Sequence, residues 1–373
     1  MAGIEVVPVE SRRQRKDFLN LPRRIYAQDP HWIPPLNANI KEMVNFVKHP
    51  FYKAAALQTF VAYRGTEVVG RIAAIDNPGH RERYGENLGF WGFLETIDDA
   101  DVVQTLFDAV RSWFKARGIE QLRGPVNPSL NYECGLLVEG FDSSPTFMMT
   151  YNPPYYGPLV EQAGFAKCQD LFAFWGHVRM LKELDKKLDF VVTEATRRFN
   201  VTTRRLDRSR FNQEVRMFLD IYNKSLVNTW GFVPLSDAEL DHLAGSLKYL
   251  IVPEMTSIAE VDGKPIGAMF GLLDYNPRIR EINGRLFPFG FLKLLRNRRG
   301  IKKVRLVSTN VLPEYQKWGI GLVLVSRIVP DVLEWGIEEA EFSWVLETNH
   351  LSRSTLERGG AILQKRYRIY DSV

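Results

Sequence analysis

The strongest constraint on this chain is that its sequence repeats itself. Residues 60–78 read FVAYRGTEVVGRIAAIDNP and residues 258–277 read IAEVDGKPIGAMFGLLDYNP. Each is an apolar strand, a short Gly-bearing turn, a second strand that opens on Gly70 or Gly267, and an Asp-Asn-Pro-like close. Gly70 and Gly267 are 197 residues apart, and so are Asn152 and Asn349, which open NPPYYGPLVEQAGF and NHLSRSTLERGGAI. Trp32, Pro35 and Leu36 match Trp230, Pro234 and Leu235 at 198–199, and Gly118-Ile-Glu matches Gly336-Ile-Glu at 218. Four matches in one order restrict the chain to one fold used twice. Its 373 residues are also too many for a typical single core and suit two domains.

The join falls between Trp175 and Arg205, because residues 181–199 combine apolar side chains at helical spacing with dense charge. The expected division is a first domain at 1–178, a linker helix at 179–204 and a second domain at 205–373. Each half reads as an opening strand, a helical segment, a hairpin, a further strand, a long helix, a strand, a helix and a last strand. The long helix is 98–117 in the first half, acidic in its first turn and stopped at Gly118, and 319–335 in the second, before Gly336. The expected class is α/β or α+β, with a mixed, mostly antiparallel sheet flanked by helices in each half.

Composition excludes whole classes. A hydrophobic fraction of 45% and a charged fraction of 25% rule out disorder. No run approaches the roughly 18–20 apolar residues that cross a bilayer. The first residues lack a basic region and a long apolar region, and Glu5 and Glu10 argue against a transit peptide. Cys134 and Cys168 alone cannot make a disulfide framework or a structural zinc site, so a reducing cytoplasm and no metal are expected. A net charge of +5 leans mildly toward an anionic partner. Without a basic stripe interleaved with aromatics, nucleic acid is not expected.

The most informative segment is 304–325. A strand runs into Asn310-Val-Leu-Pro313, then Glu314-Tyr-Gln316, Lys317-Trp-Gly319-Ile-Gly321, and an apolar run that opens a helix. Two glycines at i and i+2 allow a tight turn and close backbone approach to a ligand. The following helix points its free N–H groups and positive dipole end into that turn, a setting ready for phosphate or pyrophosphate. Lys317 adds a cation. Walker A and dinucleotide fingerprints are both missing.

These residues resemble the acyl-CoA-binding motif of the GNAT N-acyltransferase superfamily, V-x-P-x-[YF]-[QR]-x-x-G-[IV]-[GA]. It is filled by Val311, Pro313, Tyr315, Gln316, Gly319, Ile320 and Gly321. Residues 342–370 are also similar to the family's ending. The resemblance implies two tandem GNAT-like domains, the first degenerate, and acetyl-CoA or another acyl-CoA as co-substrate. It implies that the backbone of Gln316, Lys317, Trp318, Gly319, Ile320 and Gly321 binds the pyrophosphate. The strand before the loop would splay from its neighbour at Thr309–Val311 and bind the pantetheine arm, with the Val311 N–H stabilising the oxyanion. Asn349 would lie near pantetheine or adenosine, or serve as a helix N-cap. Leu356 stands where family members commonly carry an acidic Tyr, so the usual general acid is missing. Pro330 inside the helix after the loop is expected to kink or end it.

Direct transfer to an amine needs a base. Glu347, at the end of strand 341–347, is the first candidate, and Glu281, on or near the strand after the turn at 274–277, the second; His350 and Tyr315 are weaker. In the first half the 218 offset places Asp101 and Val103 opposite Gly319 and Gly321, amid Asp98 and Asp99. Carboxylates there would repel a pyrophosphate or, read otherwise, simply cap a helix. Two insertions stand out. Residues 124–150 read as an ordered functional loop. Residues 283–303 pair a Phe/Leu cluster with Arg296, Arg298, Arg299, Lys302 and Lys303. The plain reading of the second is a helix packing its apolar face with a solvated basic end. Contact with the CoA 3′-phosphate, an anionic substrate or a membrane surface through 285–303 are the others, and Phe289, Phe291, Leu292 and Leu295 could line an acyl or acceptor pocket. The acceptor would be a small-molecule or peptide amine. The competing functions are a catalytically silent acyl-CoA-binding or interaction protein and a Fem-like aminoacyl transferase.

Overall fold

The computed structural model describes residues 3–183 and 186–373. Its strands are β1 (Ile4–Pro8), β2 (Ala56–Arg64), β3 (Glu67–Asp76), β4 (Leu88–Thr96), β5 (Gln121–Gly124), β6 (Val126–Asn127), β7 (Glu133–Cys134) and β8 (Leu136–Glu139). Then come β9 (Phe165–His177), β10 (Thr202–Arg204), β11 (Thr256–Val261), β12 (Lys264–Leu273), β13 (Lys303–Val311), β14 (Glu339–Leu346) and β15 (Ile362–Ser372). The helices are α1 (Arg12–Ile25), α2 (Asn37–Met43), α3 (Pro78–Tyr84), α4 (Ala100–Lys115), α5 (Tyr156–Gln162) and α6 (Lys186–Phe199). They continue with α7 (Phe211–Ser225), α8 (Asp237–Leu247), α9 (Asn276–Glu281), α10 (Gly290–Leu295), α11 (Ile320–Trp335) and α12 (His350–Arg358).

Two compact units form, and neither is one continuous stretch. The first is Met1–Leu171 with Asn276–Leu294 and Lys365–Val373; the second is Phe172–Tyr275 with Leu295–Gln364. This differs from the contiguous division at 178 and 205, for reasons of pairing. The last strand, β15, ladders in the first unit with β5 (Tyr370↔Gly124) and β8 (Tyr367↔Leu137). The α9 segment is tied there by Asn276 Nδ2 donating to the Pro145 carbonyl (2.7 Å) and Arg280 Nη2 to Ser144 Oγ (2.8 Å). Helix α6 lies within the expected linker and belongs to the second unit; residues 184–185 of that linker lie outside the described residues.

Both units repeat one topology. In the first, β1 to β4 are antiparallel neighbours and β5 is parallel to β4 from Leu88↔Gln121 to Phe90↔Arg123. In the second, β10 to β13 are antiparallel and β14 is parallel to β13 from Lys303↔Glu339 to Leu306↔Phe342. A parallel pair needs a long crossover, and a helix supplies it in each case, α4 or α11. The fold is thus a mixed, mostly antiparallel sheet flanked by helices, built twice. Register fixes the correspondence: Gly70 faces Thr96 and Gly267 faces Val311, so Thr96 and Val311 hold equivalent places.

Helix α4 buries Val102, Leu106, Val110 and Phe114 at four-residue spacing, a stripe packed on Ile72, Ala74 and Trp91. Close approach requires Gly70, where a Cβ would come within 2.8 Å of Leu106 Cδ1. Asp99 caps α4, accepting from the N–H groups of Asp101 (3.0 Å) and Val102 (3.3 Å), and Arg64 Nη2 donates to it at 2.6 Å. The Arg64 hydrogen bond, ahead of the backbone ones, holds the Asp99 carboxyl below the usual aspartate range. Asp99→Ala is therefore expected to destabilise the protein by about 1 kcal/mol. A group lowered in the folded state stabilises above its unfolded pKa. The difference between wild type and variant in thermal melts should be complete above about pH 4 and vanish as pH falls through the lowered folded value.

Helix α11 runs to Trp335 with Pro330 inside it, so Pro330 does not end the helix. Pro330 and Ser326, whose carbonyl it leaves without its i+4 donor, are both exposed, so the lost bond falls on the solvent side of the helix. The insertion at 124–150 is ordered, holding the β6–β7 pair and β8. In the other insertion α10 buries only Leu294. Phe287, Phe289, Phe291 and Leu292 are all exposed, which corrects the reading of a packed apolar face or a lined pocket.

Candidate active site

The second unit assembles most of the candidate residues around one break in its sheet. The β13–β14 ladder stops at Leu306↔Phe342, although both strands continue, to Val311 and Leu346. A bulge lies at the same point. Leu306 pairs with Gly271 and Ser308 with Phe270, which leaves Val307 as the extra residue. Such an insertion bends one strand away from its neighbour. Beyond it, the Leu312 N–H donates to the Ile266 carbonyl (2.9 Å), so alternation along the strand turns the Val311 N–H away from β12 and toward the side β14 has left. Thr309 is exposed along the same stretch, and Asn310 is buried, its Oδ1 taking a hydrogen bond from Ser225 Oγ (3.1 Å).

The glycine loop follows directly. Gln316 uses its N–H on the Pro313 carbonyl (3.3 Å), and its side-chain amide donates to the carbonyls of Ser225 (3.1 Å) and Val311 (2.9 Å). Its side chain thus braces the loop. Lys317 (φ +66°) and Gly319 (φ +85°) sit in the left-handed region, and Gly319 is the N-cap of α11 without a side-chain cap. Among the described residues, no backbone acceptor meets the N–H groups of Lys317, Trp318, Gly319, Ile320 and Gly321. Uncapped donors at a helix N-terminus favour an anion. Thr309 Cγ2 lies 3.6 Å from where a Gly321 Cβ would stand, which brings strand end and loop together.

Sequence reasoning missed the support behind this loop. Helix α6 packs on it: a Cβ on Gly319 would meet Val191 Cγ1 at 2.6 Å, and Phe199 stands edge-on to Tyr315 (5.5 Å) and Trp318 (5.9 Å). The Arg198 guanidinium lies over the Trp318 ring at 3.9 Å, a second cation near Lys317. The charge and spacing of 181–199 indicated a helix, and nothing in them indicated its contact.

Glu347 is part-buried just after β14, and its carbonyl accepts from Arg353 Nη1 (2.9 Å). Arg353 was also missed, though the 197 offset places it opposite Tyr156. Asn349 caps α12, accepting from the Ser352 N–H (3.1 Å), and His350 opens that helix, exposed. Leu356, part-buried, packs against the cluster of Phe172, Phe174 and Val345, so the place of the usual acid is an apolar contact. Glu281 is corrected: it ends helix α9, not a strand, is exposed, and belongs to the first unit. Among the described residues, no group of three His, Cys, Asp or Glu side chains could hold a metal.

The first unit keeps the frame of this site and fills it from its own chain. The helix caps place Asp99, rather than Asp101, opposite Gly319. Only residues 97–98 separate Thr96 from that cap, against 312–318 in the second unit, so no loop remains. The Thr96 N–H, counterpart of the Val311 N–H, donates to the Tyr156 hydroxyl (2.8 Å), which donates to Glu95 (2.8 Å). Tyr26 donates to the same carboxylate at 2.9 Å. Burial pushes the Glu95 pKa up, against the pull of Arg71 and the hydrogen bonds from Tyr156 and Tyr26. One strand turn earlier the Phe93 N–H donates to Asn127 Oδ1 (2.7 Å), and a Cβ on Gly92 would meet the Val126 carbonyl oxygen at 1.7 Å. Strand β6 therefore occupies the gap beside β4.

No family model matches the chain. Protein YghO of Escherichia coli (strain K12) is 37% identical over 370 residues, 97% of this chain and 93% of that protein. The bacterial ceramide synthase of Caulobacter vibrioides (strain NA1000 / CB15N) is 36% identical over 383 residues, 99% of this chain and 97% of that protein. Among solved structures, a tandem GNAT protein from the clavulanic acid biosynthesis pathway superposes with a TM-score of 0.58 at 12% identity, covering 99% of this chain and 98% of its own. A GCN5-related N-acetyltransferase from Sphaerobacter thermophilus gives 0.53 at 11% identity, covering 99% and 95%. These two share the fold.

Proposed function

The chain belongs to the family that includes protein YghO and the bacterial ceramide synthase, and on that premise we propose that it is an N-acyltransferase joining the acyl group of an acyl-CoA to the amine of a long-chain amino alcohol. One observation carries the reading. Strands β13 and β14 part after Leu306 and Phe342, with the Val311 N–H turned into the gap and the unmet loop amides of 317–321 at its end. A thioester needs a slot for an extended arm, a donor at its carbonyl and an anion cradle for the pyrophosphate. These residues supply all three. The acceptor class rests on the name of the Caulobacter relative.

In the reaction the amine nitrogen attacks the thioester carbonyl carbon and the carbonyl oxygen gains charge beside the Val311 N–H. The C–N bond forms, the C–S bond breaks, and the nitrogen gives its proton to Glu347. A donor preset at the developing oxyanion is worth about 3 kcal/mol of barrier. With a thiol pKa of about 8.5, the sulfur can leave as thiolate without a protein acid, which agrees with Leu356 at the usual acid's place. The first repeat has no loop and no unmet counterpart of the Val311 amide, so one working site is expected per chain.

Leu356 in an apolar cluster also favours a second reading, a protein that binds acyl-CoA without turnover. The test is stabilisation by acetyl-CoA and palmitoyl-CoA in thermal melts, followed by thiol release with sphinganine as acceptor. Stabilisation and thiol release are expected together, and the better donor sets the chain length. Stabilisation without release of CoA by any amine would leave the second reading; no stabilisation by either thioester would remove both.

A further inference from the structure

The first unit contains a cavity of about 480 Å³ that the acyl-transfer reading does not use. Six basic side chains line it, Arg12, Arg15, Lys16, Arg23, Lys41 and Arg285, and no carboxylate does. Among the described residues, none of the six has an ion-pair partner. Three of them lie in the opening turns of α1, where the helix dipole favours anions, and its first turn holds no acidic residue. Arg23 is fixed in place: Nη2 donates to Asn37 Oδ1 (3.1 Å) and to the Asn283 carbonyl (3.1 Å), and Nη1 to Asn283 Oδ1. Burial, and then the charge of Arg285, pull Arg23 below the ordinary arginine value, as expected of a desolvated cation without a counter-charge.

The same contacts pin an apolar tip beside the cavity. The Asn37 N–H donates to the Gly284 carbonyl (2.9 Å), and Gly284 has φ +68° with Pro35 O only 2.2 Å from where a Cβ would stand. From that turn the chain exposes Phe287 (78%), Phe289 (69%), Phe291 (42%) and Leu292 (54%). Water alone does not favour four large apolar side chains displayed within six residues. A soluble anion would satisfy the cations and leave these residues wet. A lipid surface satisfies both, with phosphate for the cavity and hydrocarbon for the aromatic tip.

We propose that this face of the first unit docks on an anionic phospholipid membrane, a headgroup phosphate entering the Arg/Lys cavity while Phe287, Phe289, Phe291 and Leu292 enter the acyl boundary. The inference goes beyond acyl transfer and does not depend on it. Flotation of the full chain with vesicles of phosphatidylglycerol and phosphatidylcholine in equal parts tests it. Binding should be strong, fall with added salt, and be weak on phosphatidylcholine alone. Arg15→Ala with Lys16→Ala should weaken it about fivefold per charge removed. Phe287→Ser with Phe289→Ser should also weaken it, and both double variants should melt like wild type because the altered side chains are exposed. Equal binding by wild type and variants, or binding to neither vesicle, overturns the proposal. So does release from vesicles by millimolar inorganic phosphate, which would make the cavity a site for a soluble anion. Capture of an acidic protein without vesicle binding would overturn it too. None of these outcomes involves thioester chemistry, so a failure here is distinct from a failure of the proposed reaction.

Discussion

Gly321→Glu is expected to abolish the stabilisation that acyl-CoA confers while leaving the unliganded protein folded. With free ligand a hundredfold above Kd, binding adds about 2.7 kcal/mol to the unfolding free energy. In a unit of this size that raises Tm by roughly 5–10 °C, and the variant should show none of it. Gly321 suits the test because its backbone is not left-handed and a Cβ there would meet only Thr309 Cγ2, at an ordinary 3.6 Å. A carboxylate in the first turn of α11 also favours the helix dipole, so the apo protein should not suffer. Gly319 is the poorer choice. With φ +85° and Val191 Cγ1 at 2.6 Å from its Cβ position, any change there strains the fold as well. Asp101→Ala, in the repeat without a loop, should keep the full shift. A shift retained by Gly321→Glu would remove residues 316–321 from donor binding.

Glu347→Gln is expected to lower kcat by about 10²–10⁴ while the acyl-CoA shift in Tm stays as in wild type. Glutamine keeps the size and hydrogen-bonding reach of the side chain and cannot take a proton. The backbone at this point should not move, because it is the Glu347 carbonyl that Arg353 holds. Separating thermal shift from turnover assigns the role: a loss of both would mean a damaged site, and an unchanged kcat would give proton removal to water or another group. Glu281 is the internal control. It is exposed at the end of α9 in the first unit, and Glu281→Gln should leave kcat unchanged.

The repeat makes much of the fold legible in the sequence itself. The 197 offset put both hairpins in place, and Gly118 and Gly336 marked where α4 and α11 stop. The glycine pattern at 319 and 321 located the helix N-terminus with its unmet amides. What stayed hidden depends on pairing between distant residues. The extra residue Val307 looks like any other apolar position in a strand and becomes a bulge only against Phe270 and Gly271. The helical place of Glu281 does carry a signal in the sequence. Asn-Pro opens a helix at α3, where the Asn77 side chain caps it and Pro78 occupies the first turn, and the same dipeptide at 276–277 opens α9. The Phe cluster at 287–292 followed the opposite rule from the expected one, because apolar character in a sequence does not say whether a partner covers it.

The self-filled site of the first repeat changes what each half of the molecule depends on. A fold with a parted pair of strands leaves amides that want a guest, and its free energy rises and falls with the guest's concentration. In the first repeat Tyr156 and Asn127 play the guest, covalently tethered and always present. On the proposed reading, acyl donor would therefore leave the stability of that half unchanged and raise that of the second, whose loop amides have no such tethered partner.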